Sequence, residues 1–150
     1  MKNAYRIIVT GIALCTIALT AVTAKSPFKG TLTTIESAVI EFPMAIVDGT
    51  GGGVASQLGK FTISYHVEVD LATGSGTASA VLTAANGDTI TAEGTGQADD
   101  QGTAIYITEN YTVTGGTGRF ADATGSFTVT RVYDPITFKS AGTIEGTIIR

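Results

Sequence analysis

Two segments of alternating pattern each carry one charged residue on a face that is otherwise apolar. The odd positions of residues 103–114 include Glu109, and those of residues 126–133 include Arg131. Because successive side chains of a strand point to opposite faces, the acid and the base share the apolar face of their strands. An antiparallel register that sets Glu109 opposite Arg131 also aligns the apolar residues of both segments. We therefore expect a buried ion pair.

This ion pair has two interpretations. In the functional one, it anchors a ligand with a carboxylate or carbonyl group at one end of a cavity. In the other, it is a structural salt bridge, because buried charges must satisfy each other or pay a large desolvation cost. Tyr65, Tyr111 and Tyr133 lie on the same apolar faces, where they either line a cavity or pack as core residues. The candidate ligand-binding residues are thus Glu109, Arg131 and these three tyrosines.

A second inward carboxylate is predicted in the first strand, where Glu36 follows Leu32 and Thr34 on one face. If Glu36 lies close to Glu109, one of the two carboxyl groups has a raised pKa and can act as a general base. Glu36 and Glu109 are therefore the candidate catalytic residues, although the sequence contains no recognisable catalytic motif.

His66 is the only histidine and falls on the polar face of its strand, between Ser64 and Glu68. Without a second histidine or a cysteine nearby, a metal cluster is unsupported, and we expect His66 to be solvated. Ser64, His66 and Asp70 have the residue types of a catalytic triad and lie on the same face of one strand. Side chains two residues apart on a strand are separated by about 7 Å, which is beyond hydrogen-bond reach, so a triad is not supported. We expect no metal and no cofactor.

The chain beyond residue 25 shows no helical period and predicts about eight strands joined by short turns. The predicted strands are residues 28–37, 39–46, 59–71, 75–84, 89–97, 103–114, 126–133 and 137–149, and residues 48–53 are predicted as a loop. Asn86-Gly87 predicts a type I′ turn, since both residues tolerate positive φ. Residues 75–97 should then form a hairpin.

Two all-β architectures fit these elements, an up-and-down barrel and a sandwich. Hairpin-length connections favour the barrel, because a meander of about eight strands can close on itself and remove its edges. The last strand ends in an apolar run next to Arg150, and it can lie beside the first strand. We predict an eight-stranded antiparallel barrel formed by residues 25–150 as a single domain.

Several short segments occur together in a familiar order: FKGT (28–31), LGKFT (58–62), AANGD (84–88), GGTGRFA (115–121) and ATGSF (123–127). With them the chain resembles small exported bacterial proteins that mostly lack an assigned function. The GGTGRF segment also resembles a turn of plant dirigent proteins and allene oxide cyclases. That resemblance implies a calycin-like barrel with an apolar cavity. Allene oxide cyclases hold a catalytic water with a glutamate in an early strand, and Glu36 is the only residue of this sequence that can be matched to it.

The first 24 residues have the order of a signal peptide. Lys2 and Arg6 precede an uncharged run, and small residues at 22 and 24 suggest cleavage after Ala24. The alternative is a retained membrane anchor, because eighteen uncharged residues reach the lower edge of a spanning length. The mature chain would be secreted or periplasmic. It would lack cysteine, since Cys15 lies in the removed segment.

Residues 25–150 hold seven basic and thirteen acidic residues, a net charge of −6. This balance argues against nucleic acid as a partner and, after signal cleavage, against anionic membranes. We expect a small apolar ligand bound in the barrel. The alternatives are an isomerase or cyclase acting on an unsaturated lipid-like or polyene substrate, and a structural extracellular protein with a filled barrel. The sequence leaves open whether the chain forms a homo-oligomer.

Overall fold

The structure is a computed structural model that describes residues 24–150, and nearly all of these residues lie in strands or in the turns between them. The strands are β1 (Ser26–Glu41), β2 (Met44–Ala55), β3 (Gly59–Asp70), β4 (Ser75–Ala84), β5 (Thr89–Asp100), β6 (Ile105–Gly116), β7 (Thr124–Asp134) and β8 (Lys139–Ile149). Except for Ala24, the predicted signal peptide falls outside the described residues. Within the described residues, no helix is long and apolar enough to cross a membrane.

Each strand pairs antiparallel with the next, and β8 pairs with β1, so the sheet closes into an up-and-down barrel. The closing register runs from Ser26 opposite Ile148 to Ile35 opposite Lys139. The predicted eight-stranded barrel is therefore confirmed. Closure pairs strands that would otherwise expose a row of backbone donors and acceptors.

Side-chain alternation determines which residues fill the barrel. On β3, Phe61, Ile63 and Tyr65 are buried, and the threonine and serine between them are exposed. The predicted strand 59–71 is confirmed to within one residue, and the predicted hairpin 75–97 corresponds to β4 and β5. Alternating burial of this kind is what places one face of every strand inside a barrel.

The prediction for the second strand was wrong. Residues 48–53 were expected to form a loop, but they lie within β2, and the turn falls earlier, at Phe42-Pro43. Gly49, Gly51 and Gly53 occupy alternate positions, and a Cβ at Gly49 would lie 2.0 Å from Cζ of Tyr65. Glycine in a strand often marks such a close approach. Gly49 therefore leaves room for the Tyr65 ring. At Gly51 and Gly53 a Cβ would instead lie 2.1 and 1.9 Å from backbone carbonyl oxygens of β1, so these glycines allow the two strands to approach closely and do not mark a loop.

The turn at Asn86-Gly87 is also not of the predicted type. The backbone amide of Ala84 donates to the carbonyl of Asp88 at 2.9 Å, which leaves a three-residue loop. Within it only Gly87 has a positive φ, of 91°. This matches a type I turn followed by a left-handed glycine. Asn86 Oδ1 accepts from the amide of Asp88 at 3.2 Å, which is the local side-chain bond that Asn favours in turns.

The register between β6 and β7 differs from the predicted one by two residues. Arg131 pairs with Ile107, and Glu109 pairs with Val129. A slip of two residues keeps every side chain on its original face. The periodicity therefore assigned the inward faces correctly but could not distinguish these two registers.

The two ends of the barrel interior are filled differently. At the end where the chain leaves β6 and enters β7, the short 3₁₀ helix Gly118–Phe120 places Phe120 inside, fully buried. Phe28, Leu82, Ile90 and Ile148 are likewise completely buried in the same cluster. This end is a packed hydrophobic core. At the opposite end, formed by the β1–β2, β3–β4, β5–β6 and β7–β8 turns, the interior is open.

Candidate functional site

The predicted ion pair forms inside the barrel. Arg131 on β7 donates from Nε to Glu109 Oε2 at 3.1 Å and from Nη2 to Glu109 Oε1 at 2.9 Å. Both side chains are buried, with 3% and 4% of their surface exposed. This two-bond geometry is the strong form of a carboxylate–guanidinium pair. The arginine side chain is long enough to reach diagonally across the pair of strands, so the two-residue difference in register does not separate the charges.

A second carboxylate joins the pair from the other side. Arg131 Nη1 donates to Glu36 Oε1, and Ser140 Oγ donates to the same oxygen at 2.8 Å. The Glu36 side chain is 5% exposed. The structure thus brings Glu36, Glu109 and Arg131 together, with the guanidinium between the two carboxylates. We call these three residues with Ser140 the polar cluster.

Hydrogen bonds extend the polar cluster to Tyr65. Ser140 Oγ lies 2.7 Å from Thr34 Oγ1, which lies 3.0 Å from the hydroxyl of Tyr65. Arg131 Cζ is 5.1 Å from the centre of the Tyr65 ring, within the range of a cation–π contact. Burial raises the pKa of Tyr65, and the charge of Glu36 adds to that shift. Tyr65 is therefore a neutral hydroxyl packed on the guanidinium.

Ser140 and Thr34 were not among the predicted site residues. Both are buried polar residues at inward positions of their strands. The sequence does place the Ser140 hydroxyl on the inward face of β8, because Ser140 alternates with the same period as the buried Ile144 and Ile148. In strands rich in threonine and serine this signal is too common to single out one residue.

Arg131 remains charged in this environment. Burial on its own lowers the pKa of Arg131, but the hydrogen bonds and the charge of Glu109 raise it above its usual range. A permanently charged guanidinium in the core needs its two carboxylates, since an isolated buried charge is very costly. The polar cluster is therefore held together by electrostatics as well as by packing around it.

The polar cluster separates two regions of the barrel interior. On the packed side, Tyr65 and Tyr111 line a void of only about 10 Å³, which is at the lower limit for one water molecule. The Tyr111 ring stacks on Phe127 with a centroid distance of 5.2 Å. Burial also raises the pKa of Tyr111, and the negative charge of Glu109 raises it further. These two tyrosines are thus placed in the core.

On the other side, the polar cluster is the floor of an open cavity of about 630 Å³. Glu36, Glu109, Arg131 and Tyr133 contribute polar groups at its floor, and Asp99 and Asp100 are among the other polar residues that line it. Its walls are largely aliphatic and include Val47, Val67, Val69, Ile105 and Ile107. Burial raises the pKa of Tyr133, with the charge of Glu36 as the next cause. Of the five predicted ligand-binding residues, Glu109, Arg131 and Tyr133 line this cavity.

His66 lies on the outside of the barrel, as the alternation predicted. Its Nδ1 is 2.8 Å from Asp48 Oδ1, and its Nε2 is 3.9 Å from Glu68 Oε1. The hydrogen bond to Asp48 raises the pKa of His66. In the described part of the chain, no three His, Cys, Asp or Glu side chains converge in a way that could hold a metal ion.

Comparison with known proteins adds no further assignment to this site. Neither the protein-family models, nor the curated proteins, nor the solved structures gave a match to this chain.

Proposed function

We propose that the protein binds a small, largely apolar molecule in the open half of its barrel. The cavity volume of about 630 Å³ lies within the roughly 300–1,000 Å³ typical of ligand pockets. Aliphatic walls with a few convergent polar groups are the usual lining of such pockets. With the signal peptide that the sequence predicts, binding would take place in the periplasm or outside the cell.

The observation that carries this proposal is the contrast between the two halves of the interior. One half is packed down to a void of about 10 Å³, whereas the other leaves an open cavity behind a charged floor. Protein interiors are close-packed, and space left open costs contacts that the lining atoms would otherwise make. A barrel that served only as a structural unit would gain by filling both halves.

The rim of the cavity supports the same proposal. Phe42 and Ile136, in the turns at the open end, are 77% and 83% exposed, and the nearby Ile40 and Phe138 are more than half exposed. Large apolar side chains grouped around the mouth of a cavity are unusual on a protein surface without a binding role. They give an apolar ligand favourable contacts as it enters.

The proposal can be tested with a neutral fluorescent naphthylamine probe titrated into the protein that lacks residues 1–24. We expect saturable binding at one site. A charge placed in the cavity wall by Val69→Asp should weaken binding at least tenfold, roughly 1.4 kcal/mol. Val54→Asp is the matched control, because Val54 is on the outer surface and 59% exposed. Binding that does not saturate, or that both substitutions weaken equally, would refute a site in the barrel.

A second candidate is an isomerase or cyclase of the allene oxide cyclase type. It is supported by the position of Glu36, whose carboxylate lies on the floor of an apolar cavity, where a general base would meet a bound substrate. A panel of unsaturated epoxides and polyenes tests this candidate by product analysis. Conversion that is lost in Glu36→Gln supports it, and a panel without any conversion counts against it.

A further inference from the structure

The guanidinium on the cavity floor has almost no donor left for a ligand. Of the five N–H groups of an arginine, Nε and one on Nη2 donate to Glu109, and the two on Nη1 donate to Glu36 and Ser140. One N–H on Nη2 remains, so a ligand carboxylate could form the two-bond pair with Arg131 only by displacing one of these partners. The arginine on the floor is therefore a poor anchor for an acidic ligand.

The floor does have acceptor capacity to spare. Glu36 Oε1 accepts from both Arg131 and Ser140, whereas no hydrogen bond from a side chain in residues 24–150 reaches Glu36 Oε2. The Tyr65 hydroxyl is near enough to Glu36 for the carboxylate to raise the pKa of Tyr65, but it lies 3.0 Å from Thr34 Oγ1. The Glu36 side chain is nonetheless 95% buried, and it lines the cavity. No fully buried side-chain oxygen or nitrogen in residues 24–150 lacks a hydrogen-bond partner, so Glu36 Oε2 is open to the cavity. There a donor on the bound molecule can replace water and form a charge-assisted hydrogen bond.

The charges around the cavity also favour a ligand that donates hydrogen bonds and carries a positive charge. The polar cluster has one guanidinium and two carboxylates, so its net charge is −1 when both carboxylates are ionised. Asp99 and Asp100 add acidic groups to the cavity lining, and among the described residues that line it Arg131 is the only basic one. A cleft in which charges of one sign are in excess favours ligands of the opposite sign.

From these three observations we infer that the ligand is a cationic amphiphile, with an ammonium or similar N–H donor against Glu36 Oε2 and an apolar chain along the aliphatic walls. This inference rests on the proposed function and specifies the ligand for the same cavity. A fatty acid would instead bring a third carboxylate next to Glu36 and Glu109, where like charges repel at short range.

The test compares three single-chain ligands that differ only in their polar end: dodecylamine, dodecanol and dodecanoate. Each displaces the neutral naphthylamine probe at pH 7 and below its micelle concentration. We expect the amine to bind about tenfold more tightly than the alcohol, and the acid to bind more weakly than the alcohol. Glu36→Gln should reduce the preference for amine over acid by about tenfold, because it removes the surplus charge but retains an acceptor for Arg131 and Ser140. Glu93→Gln, a substitution on the outer surface, should leave the preference unchanged.

The results distinguish a wrong ligand class from the absence of a binding site in the barrel. If all three ligands bind and the acid equals or exceeds the amine, the cationic ligand is wrong, whereas the apolar site stands. If none of them displaces the probe and the probe itself does not bind, the proposed function fails and this inference fails with it. Should Glu36→Gln not fold, the order of the three affinities in the unsubstituted protein still decides the question.

Discussion

At the scale of single residues, the polar cluster is where charge is concentrated in the core. Arg131 balances two carboxylates with only 3% of its side chain exposed. Such a cluster contributes little net stability compared with an apolar core, but it is very sensitive to the loss of one member. Removal of Arg131 would leave Glu36 and Glu109 buried next to each other with no opposite charge.

We expect Arg131→Met to lower the free energy of unfolding by about 3–5 kcal/mol, as for the loss of one partner of a buried pair. Urea denaturation measures this change. The control is Lys29→Met, which removes the surface pair between Lys29 and Glu145, 2.7 Å apart with both side chains well exposed. That variant should unfold at nearly the same urea concentration as the original protein. Equal losses in the two variants would contradict the central role of Arg131.

His66 provides a second prediction at this scale, because a single histidine gives one unambiguous NMR titration. We expect its pKa above the usual 6.5, since the charged ring is held by Asp48. Asp48→Asn should bring the pKa back towards that value. Glu68→Gln should shift it less, as its carboxylate is 3.9 Å away. A larger shift in Glu68→Gln than in Asp48→Asn would show that the pairing is wrong.

The sign of the linked pH effect follows from a folded-state pKa above the unfolded one. Protonated His66 stabilises the fold fully below the unfolded pKa of about 6.5, and this contribution is lost as the pH rises through the higher folded pKa. Because His66 and Asp48 are on the surface, we expect the effect on the unfolding midpoint to be small and to shrink further in added salt.

The residues of the site differ in how far the sequence could predict them. Glu109 and Arg131 stand out as charges within an apolar alternation, and that signal survives any even error in register. Glu36 was placed on the inward face by the same argument. Ser140 and Thr34 carry no such contrast, and only the closed barrel brings β8, β1 and β3 around one point.

At the scale of the strands, the sequence pattern predicted β2 wrongly, because glycine occurs both in loops and at crowded positions of strands. In β2, glycine at alternate inward positions has the same composition as a flexible loop, and no local property distinguishes the two. The difference lies in the neighbouring strand, where the Tyr65 ring occupies the space that a side chain at Gly49 would need. Predicting β2 therefore requires knowing the partner opposite it.

This interpretation of β2 predicts that Gly49→Ala is destabilising by about 1–3 kcal/mol, the usual cost of an overpacked core position. Thr50→Ala, at the next and exposed position of β2, should cost less than about 1 kcal/mol. Thermal and urea unfolding both report the difference.

The double variant Gly49→Ala with Tyr65→Leu identifies the cause. If the tyrosine ring is what excludes a side chain at Gly49, the double variant should lose less stability than the sum of its two single variants. Strict additivity would mean that Gly49 is required for its backbone and not for the space it leaves.

At the scale of the whole molecule, local connections were sufficient to predict a closed barrel, but not how its interior is divided. Alternation assigns residues to the inside without giving the volume they leave. The division follows from the sizes of the side chains at the two ends of the barrel. Phe28, Phe120 and Leu82 are completely buried at one end, whereas glycine and the smaller aliphatic residues make up much of the lining at the other. The polar cluster lies between the two.

Ala78 and Ala80 test this division directly, because they point inward from the same strand, β4, on opposite sides of the polar cluster. Both are buried, but Ala78 lines the open cavity and Ala80 lines the void of about 10 Å³. Ala78→Phe should place its ring in the open cavity, change the free energy of unfolding by less than about 1 kcal/mol and weaken binding of the naphthylamine probe at least tenfold. Ala80→Phe should instead destabilise the protein by about 1–3 kcal/mol, since its ring has no space to enter. If Ala78→Phe is as destabilising as Ala80→Phe, or if it binds the probe normally, the open half is not the space that the ligand occupies.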